Sequence, residues 1–169
     1  PGVPADPSKP AALSAIITHC TKLGDRIAIL DTPKTVLDPV KDLVPLLPGG
    51  ASALYTATDF AALYTPWVVV WDEASKSEKA VPPSGHIAGI YARVDATRGV
   101  HKAPANEQIL GIIRPLVPIG RAQQAAVNLL GGNCLRTMNG SAKVWGARTL
   151  AGDTSLHKYV PIRRLLSFL

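Results

Sequence analysis

Residues 82–106, PPSGHIAGIYARVDATRGVHKAPAN, constrain this chain more than any other stretch, because they bracket one short helix between signals for where it starts and stops. Pro82 and Pro83 hold the incoming chain extended, the Ser84 hydroxyl is suited to cap a first turn, and Gly99 can close the far end in a left-handed conformation. The spacing predicts a helix from Gly85 to Thr97. On it Ile87, Ile90, Tyr91 and Val94 share one side, while Arg93, Asp95 and Arg98 lie toward the other. One face is therefore buried and one polar. The VHKAPAN run after Gly99 reads as irregular chain whose alanines and proline suit close packing against other elements.

The chain's 169 residues are enough for one core, since folding at this size removes roughly 70% of the extended surface from water. Hydrophobic content of 47% with 18% charged residues argues against disorder, and no apolar run reaches the ~18 residues a membrane helix requires. A soluble globular protein is expected. No basic, apolar leader opens the sequence, so no export signal is indicated. Cys20 and Cys134 are too few for a disulfide framework and are expected to be reduced thiols. A net charge of +6 favours acidic partners without identifying nucleic acid, since an acidic protein surface would serve equally well.

Taken in order, residues 1–10 hold four prolines and read as a linker or cut end, leaving 11–169 as one core domain. A helix then follows, with Leu13, Ile16, Ile17, Cys20 and Leu23 on one stripe and Gly24 placed to end it. The apolar run RIAILD fits a central strand covered on both faces. Thr32 and Pro33 suggest a second helix start, which Pro39, Pro45 and Pro48 break into pieces. Residues 60–72, including LYTPWVVVWD, predict one further central strand with Pro66 at its start or edge. The polar run EASKSEKAV reads as a surface loop. Residues 109–117 look strand-like, with Arg114 and Pro115 interrupting them. RAQQAAVNLL reads as a helix closed by Gly131 and Gly132. Two β-like runs surround Asn139-Gly140, the strongest hairpin signal present. The final RRLLSFL has an apolar stripe and no cap, as though the chain stopped inside a helix. Strands alternating with helices predict an α/β layered fold with a mostly parallel sheet and one edge hairpin.

The motif at 82–106 resembles the central motif of contractile tail sheath proteins of phages and phage-like injection machines, whose pattern is PPSG, AG-Y-AR-D and RG-KAPAN. Pro82, Pro83, Ser84, Gly85, Ala88, Gly89, Tyr91, Ala92, Arg93, Asp95, Arg98, Gly99, Lys102, Ala103, Pro104, Ala105 and Asn106 match it. VWGARTL, with Trp145, Gly146 and Arg148, and the Arg163-Arg164 pair agree in the same order, as do GDRIAILDTP and YTPWVVVWD upstream. The resemblance implies a subtilisin-like architecture and a structural subunit that stacks with its copies around a tail tube, meets a baseplate and a tail terminator, and contracts without ATP. It implies the virion tail sheath as its location, assembled in the host cytoplasm, with no cofactor, no membrane insertion and no direct nucleic acid. It also implies a longer whole protein, so that this chain is read as a fragment, with Arg163 and Arg164 as candidates for a subunit or tube interface.

Four chemical alternatives compete with that reading. IAILDTP and SGHIAGIYA resemble the strand and helix that carry a subtilase's aspartate and histidine, which would make Asp31 and His86 a pair. A triad also needs a nucleophile at a helix start beside an oxyanion hole, and no GTSMA-type segment is present; Ser141 falls in the expected hairpin turn and Ser84 in the cap. His19, His86, His101 and His157 are dispersed and neither cysteine forms a CxxC pair, so no metal site is expected. Neither GxxxxGK[ST] nor GxGxxG occurs. Arg93, Arg98, Lys102, Arg148, Arg163 and Arg164 could form a basic nucleic-acid face, but only two Phe are available for base stacking. Trp67, Trp71 and Trp145 are better read as core than as binding anchors.

Overall fold

The computed structural model describes residues 10–153 and 155–168; the linker expected over 1–10 lies outside these but for Pro10, which opens the first helix. That helix, α1 (Pro10–Leu23), buries Leu13 and Cys20 and packs Ile16 and Ile17 partly against the core. Leu23, in its last turn, is 47% exposed and leaves the expected stripe. Gly24, at φ 74°, returns its N–H to the Cys20 carbonyl and stops the helix as its lack of a Cβ allows.

A four-stranded sheet follows in the spatial order β1 (Ala28–Asp31), β2 (Ala61–Thr65), β6 (Gly132–Met138) and β7 (Ser141–Trp145). β1, β2 and β6 run parallel, and β7 returns antiparallel from β6. The β6–β7 turn is the expected hairpin: Asn139 and Gly140 sit at φ 51° and 77°, the two positive values a tight, right-twisted turn needs. RIAILD, expected to be central, is instead the edge strand β1, and the fully buried strand is β2. The alternation of β2 splits the core in two. Ala61 and Leu63 join Leu13, Leu30, Leu43 and Val127 on one face, while Ala62 and Tyr64 join Ile87, Val94, Leu135 and Val160 on the other. Helices thus cover a mostly parallel sheet from both sides.

Several local expectations are corrected. Residues 60–72 form two strands in two sheets, because Pro66, with a cis bond after Thr65, has no N–H to continue a ladder. The second, β3 (Val68–Asp72), centres an antiparallel three-stranded sheet ordered β4–β3–β5. Half of the supposed polar loop is β4 (Ser77–Val81), whose composition is that of an edge strand in water; Asp72 accepts from the Ala74 N–H and Lys76 takes φ 50° to make the turn. Within 109–117 only β5 (Arg114–Pro115) is a strand, because the segment crosses between sheets: Ile109 N–H bonds to Ala142, then Ile113 and Leu116 N–H bond to Val69 and Trp67. No helix starts at Thr32-Pro33. The prolines leave a single π turn (Pro39–Leu43) capped by Asp38 and a 3-10 turn (Val44–Leu46). The helix α3 (Arg121–Leu129) ends before Gly131, at φ 94°, as expected.

The motif helix, α2, spans Ser84–Arg98 and buries Ile87, Ile90, Tyr91 and Val94, as the spacing predicts. Its start differs from expectation: Pro83 occupies the N-cap, no side chain caps the turn, and Ser84 is already helical. At the far end Gly99 donates its N–H to the Asp95 carbonyl at φ 88° and ψ 162°, a positive φ with an extended rather than left-handed helical ψ. A Cβ there would also lie 3.0 Å from the His101 ring. Gly99→Val is expected to cost about 2 kcal/mol, because a β-branched residue is disfavoured at this φ. Urea melts check this, and an unchanged midpoint would count against it.

Candidate functional site

The motif residues work at the joints between elements, beginning with Asp31. The last residue of β1, it is fully buried, and its Oδ1 accepts the Ser84 N–H at 2.8 Å, placing a carboxylate at the positive end of α2. Oδ2 has no partner among the described residues. Tyr55 donates its hydroxyl to the Asp31 carbonyl at 2.9 Å, and burial pushes the Tyr55 pKa up. Burial, opposed by the Ser84 contact, raises the Asp31 pKa to about 6. His86, half-buried on α2 with its pKa lowered by desolvation, makes no hydrogen bond to Asp31. The two residues of the subtilase comparison are not joined.

A raised pKa means that the fold favours the protonated carboxyl. The stability this provides is complete below the ordinary carboxylate range near pH 4 and is lost as pH rises through about 6. Asp31→Asn keeps an oxygen for the Ser84 N–H and removes the charge. Relative to wild type, the variant is expected to gain about 2 kcal/mol in unfolding free energy between pH 4 and pH 7. Parallel urea melts at the two pH values measure it; a constant difference would show that Asp31 does not titrate in the fold.

The last helix, α4 (Val160–Phe168), brings Arg163 and Arg164 back onto the body of the chain. Arg164 grips Asp95 of α2 with both guanidinium nitrogens, Nη1 to Oδ1 at 3.0 Å and Nη2 to Oδ2, and its plane lies 4.5 Å from the Tyr91 ring centre. The Tyr91 hydroxyl meets that of Tyr64, from β2, at 2.8 Å inside the core. Desolvation pushes the Tyr91 pKa up to about 12 and also raises that of Tyr64 well above its ordinary value. Arg163 stacks at 4.0 Å on Phe60, donates to the Gly24 carbonyl at 3.1 Å and approaches Asp59, which His157 also contacts. Both arginines are mostly buried and partnered within the chain.

KAPAN and VWGARTL are stitched together in the same way. Arg93 donates to the Gln108 carbonyl at 2.8 Å and faces Glu107, while Lys102 bonds to the Ala103 carbonyl at 2.7 Å. Pro104 is buried. Asn106, at φ 59°, gives its N–H to the Val144 carbonyl, and Val144 answers with its N–H to the Glu107 carbonyl, so this segment covers the outer edge of β7. On β6, Asn133 is fully buried: its Nδ2 donates to the Leu63 and Arg148 carbonyls at 3.1 and 2.8 Å, and its Oδ1 accepts the Arg148 N–H at 2.7 Å. Gly146 leaves the room this needs, because a Cβ there would stand 2.7 Å from Asn133 Oδ1. The Arg148 side chain turns outward to Asp153 at 3.0 Å and lies over the Tyr159 ring. Trp145 sits opposite Cys134, while Pro82 is half-buried and Gly85 and Gly89 are exposed with open space around them. Asn133 escapes sequence reasoning; a polar residue directly between the Gly131-Gly132 pair and the apolar Cys134-Leu135 is the signal that could have flagged it.

Among the described residues no three His, Cys, Asp or Glu side chains converge, and no helix is long and apolar enough to cross a membrane. The polar groups of the motif are engaged in holding strands, helices and loops to one another, which is the arrangement of a structural scaffold. The chain belongs to the phage tail sheath family: the model of the phage tail sheath protein central domain matches residues 2–150. It is similar to the tail sheath protein of Burkholderia phage BcepMu, at 33% identity over 65% of this chain and 24% of the relative. It is likewise similar to a putative prophage major tail sheath protein of Pseudomonas aeruginosa, at 28% identity over 85% of this chain and 37% of the relative. Among solved structures, the helical sheath of the anti-feeding prophage in its contracted state superposes with a TM-score of 0.74 at 29% identity, covering 98% of this chain and 42% of that one. The contracted sheath complex of the extracellular contractile injection system PVC gives 0.68 at 38% identity, covering 83% and 37%. The chain therefore spans about a quarter to two-fifths of the length of these relatives.

Proposed function

We propose that this chain is the core of a contractile sheath subunit, one that packs with its copies around a tail tube and drives the tube through a target envelope as the sheath shortens. The likeness to a contracted sheath over 98% of the chain is the observation that carries this reading. The likeness to the baseplate structure of the anti-feeding prophage, at a TM-score of 0.74, supports contact with a baseplate; tube and terminator proteins complete the partners, and the tail of a phage-like particle, assembled in the host cytoplasm, is the location. Contraction draws on a difference in packing free energy between two arrangements of the same subunits, so no nucleotide is required. Residues 11–169 act as a single sheath core domain of a longer subunit, and the protein is not an enzyme: Asp31 serves α2 and is not paired with His86.

The test is assembly. The full-length polypeptide should form regular tubes in negative-stain microscopy, and the 169-residue chain should sediment as monomers or small irregular oligomers at tens of micromolar. Full-length protein that stays monomeric across salt and concentration would overturn the sheath reading. Stoichiometric labelling of the folded chain by a serine-reactive fluorophosphonate would overturn the non-enzymatic one.

A further inference from the structure

The two edges of the four-stranded sheet are treated differently. β7 is covered by the chain itself, through the backbone bonds of Asn106, Glu107 and Ile109. Among the described residues β1 pairs only with β2. The Ala28 N–H is directed to the Phe60 carbonyl, so the alternation of a strand turns the backbone groups of Ile29 the other way, outward, and those of Ile27, just ahead of β1, follow the same alternation.

Those two residues lie on the floor of a trench. A cavity of about 910 Å³ runs over Ile27 and Ile29 between Tyr91, Ala92 and Ala96 of α2 and Leu165 of α4. A smaller one, about 200 Å³, continues over the same two isoleucines between Ile16 and Cys20 of α1 and Ala88 of α2. Ala88, Gly89, Ala92 and Ala96 are all exposed, so the α2 wall is built of side chains too short to fill the space beside the strand. The charges at the rim are already matched, Asp25 with Arg26 and Asp95 with Arg164. An occupant therefore needs no charge of its own. It must be narrow, apolar and able to bond with the outward backbone groups of Ile27 and Ile29, which describes a β-strand.

We propose that the trench receives a strand from the part of the same full-length polypeptide that lies outside residues 1–169, adding it to the sheet beside β1. The relatives are more than twice the length spanned here, so ample chain is tethered to this core, and a tethered segment acts at an effective concentration near millimolar. Filling the edge in cis also removes a template for edge-to-edge aggregation in the free subunit, the treatment β7 already receives. The inference rests on the family assignment and not on contraction.

Short peptides tiled across the rest of the full-length polypeptide, added to the 169-residue chain, test it by amide hydrogen exchange. One peptide is expected to slow exchange at Ile27 and Ile29 at least tenfold. Ala92→Trp or Ala96→Trp, both at exposed positions, should abolish the protection while leaving the melting curve of the chain in place. Binding with no protection at these two amides, or no binding by any peptide, overturns the proposal. So does protection that appears in the chain alone as its concentration rises, which would make a second copy the occupant. Tubes formed by full-length protein in which both amides still exchange freely would overturn this inference and leave the sheath reading standing.

Discussion

Arg164→Ala is expected to lower the unfolding free energy by about 3 kcal/mol, more than an ordinary surface ion pair could account for. Both of its bonds to Asp95 go to one carboxylate, its side chain is only 14% exposed, and it covers the Tyr91 ring. Truncation removes the cation–π contact and leaves Asp95, itself 28% exposed, with its charge partly desolvated and unpaired. It also loosens α4, whose Ile162, Leu165 and Leu166 are each 38–48% exposed, leaving Val160 and Arg163 as its remaining anchors. Two readouts separate pair from packing. Asp95→Asn should recover part of the stability lost in Arg164→Ala, because it removes the stranded charge, and the double-mutant cycle should give a coupling of about 1–2 kcal/mol. Additive losses would mean that Arg164 acts through Tyr91 alone. A total loss under about 0.5 kcal/mol would mean that α4 is held by something else.

The parts of this fold legible in the sequence are those set by local chemistry. The periodicity of Ile87, Ile90, Tyr91 and Val94 placed α2 to within a residue at each end, and Asn139-Gly140 placed the hairpin because only a few residue types tolerate two consecutive positive φ values. Gly24 and Gly131 marked helix ends for the same reason. What sequence reasoning misread depends on partners far along the chain. β4 has the polar composition of a loop and is a strand because β3 supplies its ladder, and RIAILD looks central because helices cover both faces of an edge strand. Ser84 shows the limit most clearly. The residue type suited an N-cap, yet its main-chain N–H is turned to a carboxylate 53 positions earlier, which no local pattern reveals. The α2 joints divide along the same line: Arg93, Asp95 and Lys102 stand out by family pattern, but their partners Gln108, Arg164 and Ala103 emerge only from the fold.

The largest loss is expected at a residue outside the quoted motifs. Asn133→Ala should cost about 4 kcal/mol, enough to unfold a chain of ordinary marginal stability at modest denaturant. Asn133 side-chain bonds reach three main-chain groups, the Leu63 carbonyl on β2 and both the N–H and the carbonyl of Arg148, so one amide joins the middle of the sheet to the loop after β7. Alanine would strand the buried Leu63 carbonyl and the two part-buried Arg148 groups, at about 1 kcal/mol or more each, and open a small cavity beside Gly146. Asn133→Asp separates the two contributions. An aspartate can still accept from the Arg148 N–H but cannot donate to either carbonyl, and it places a charge at a fully buried position. Its stability should therefore fall steeply as pH rises above the carboxylate range, whereas the alanine variant should lose the same amount at every pH. Chemical denaturation of both at pH 5 and pH 8 would decide the matter: a loss below about 1.5 kcal/mol for alanine, or a pH-independent loss for aspartate, would show that water reaches this joint and that the sheet and the loop are held elsewhere.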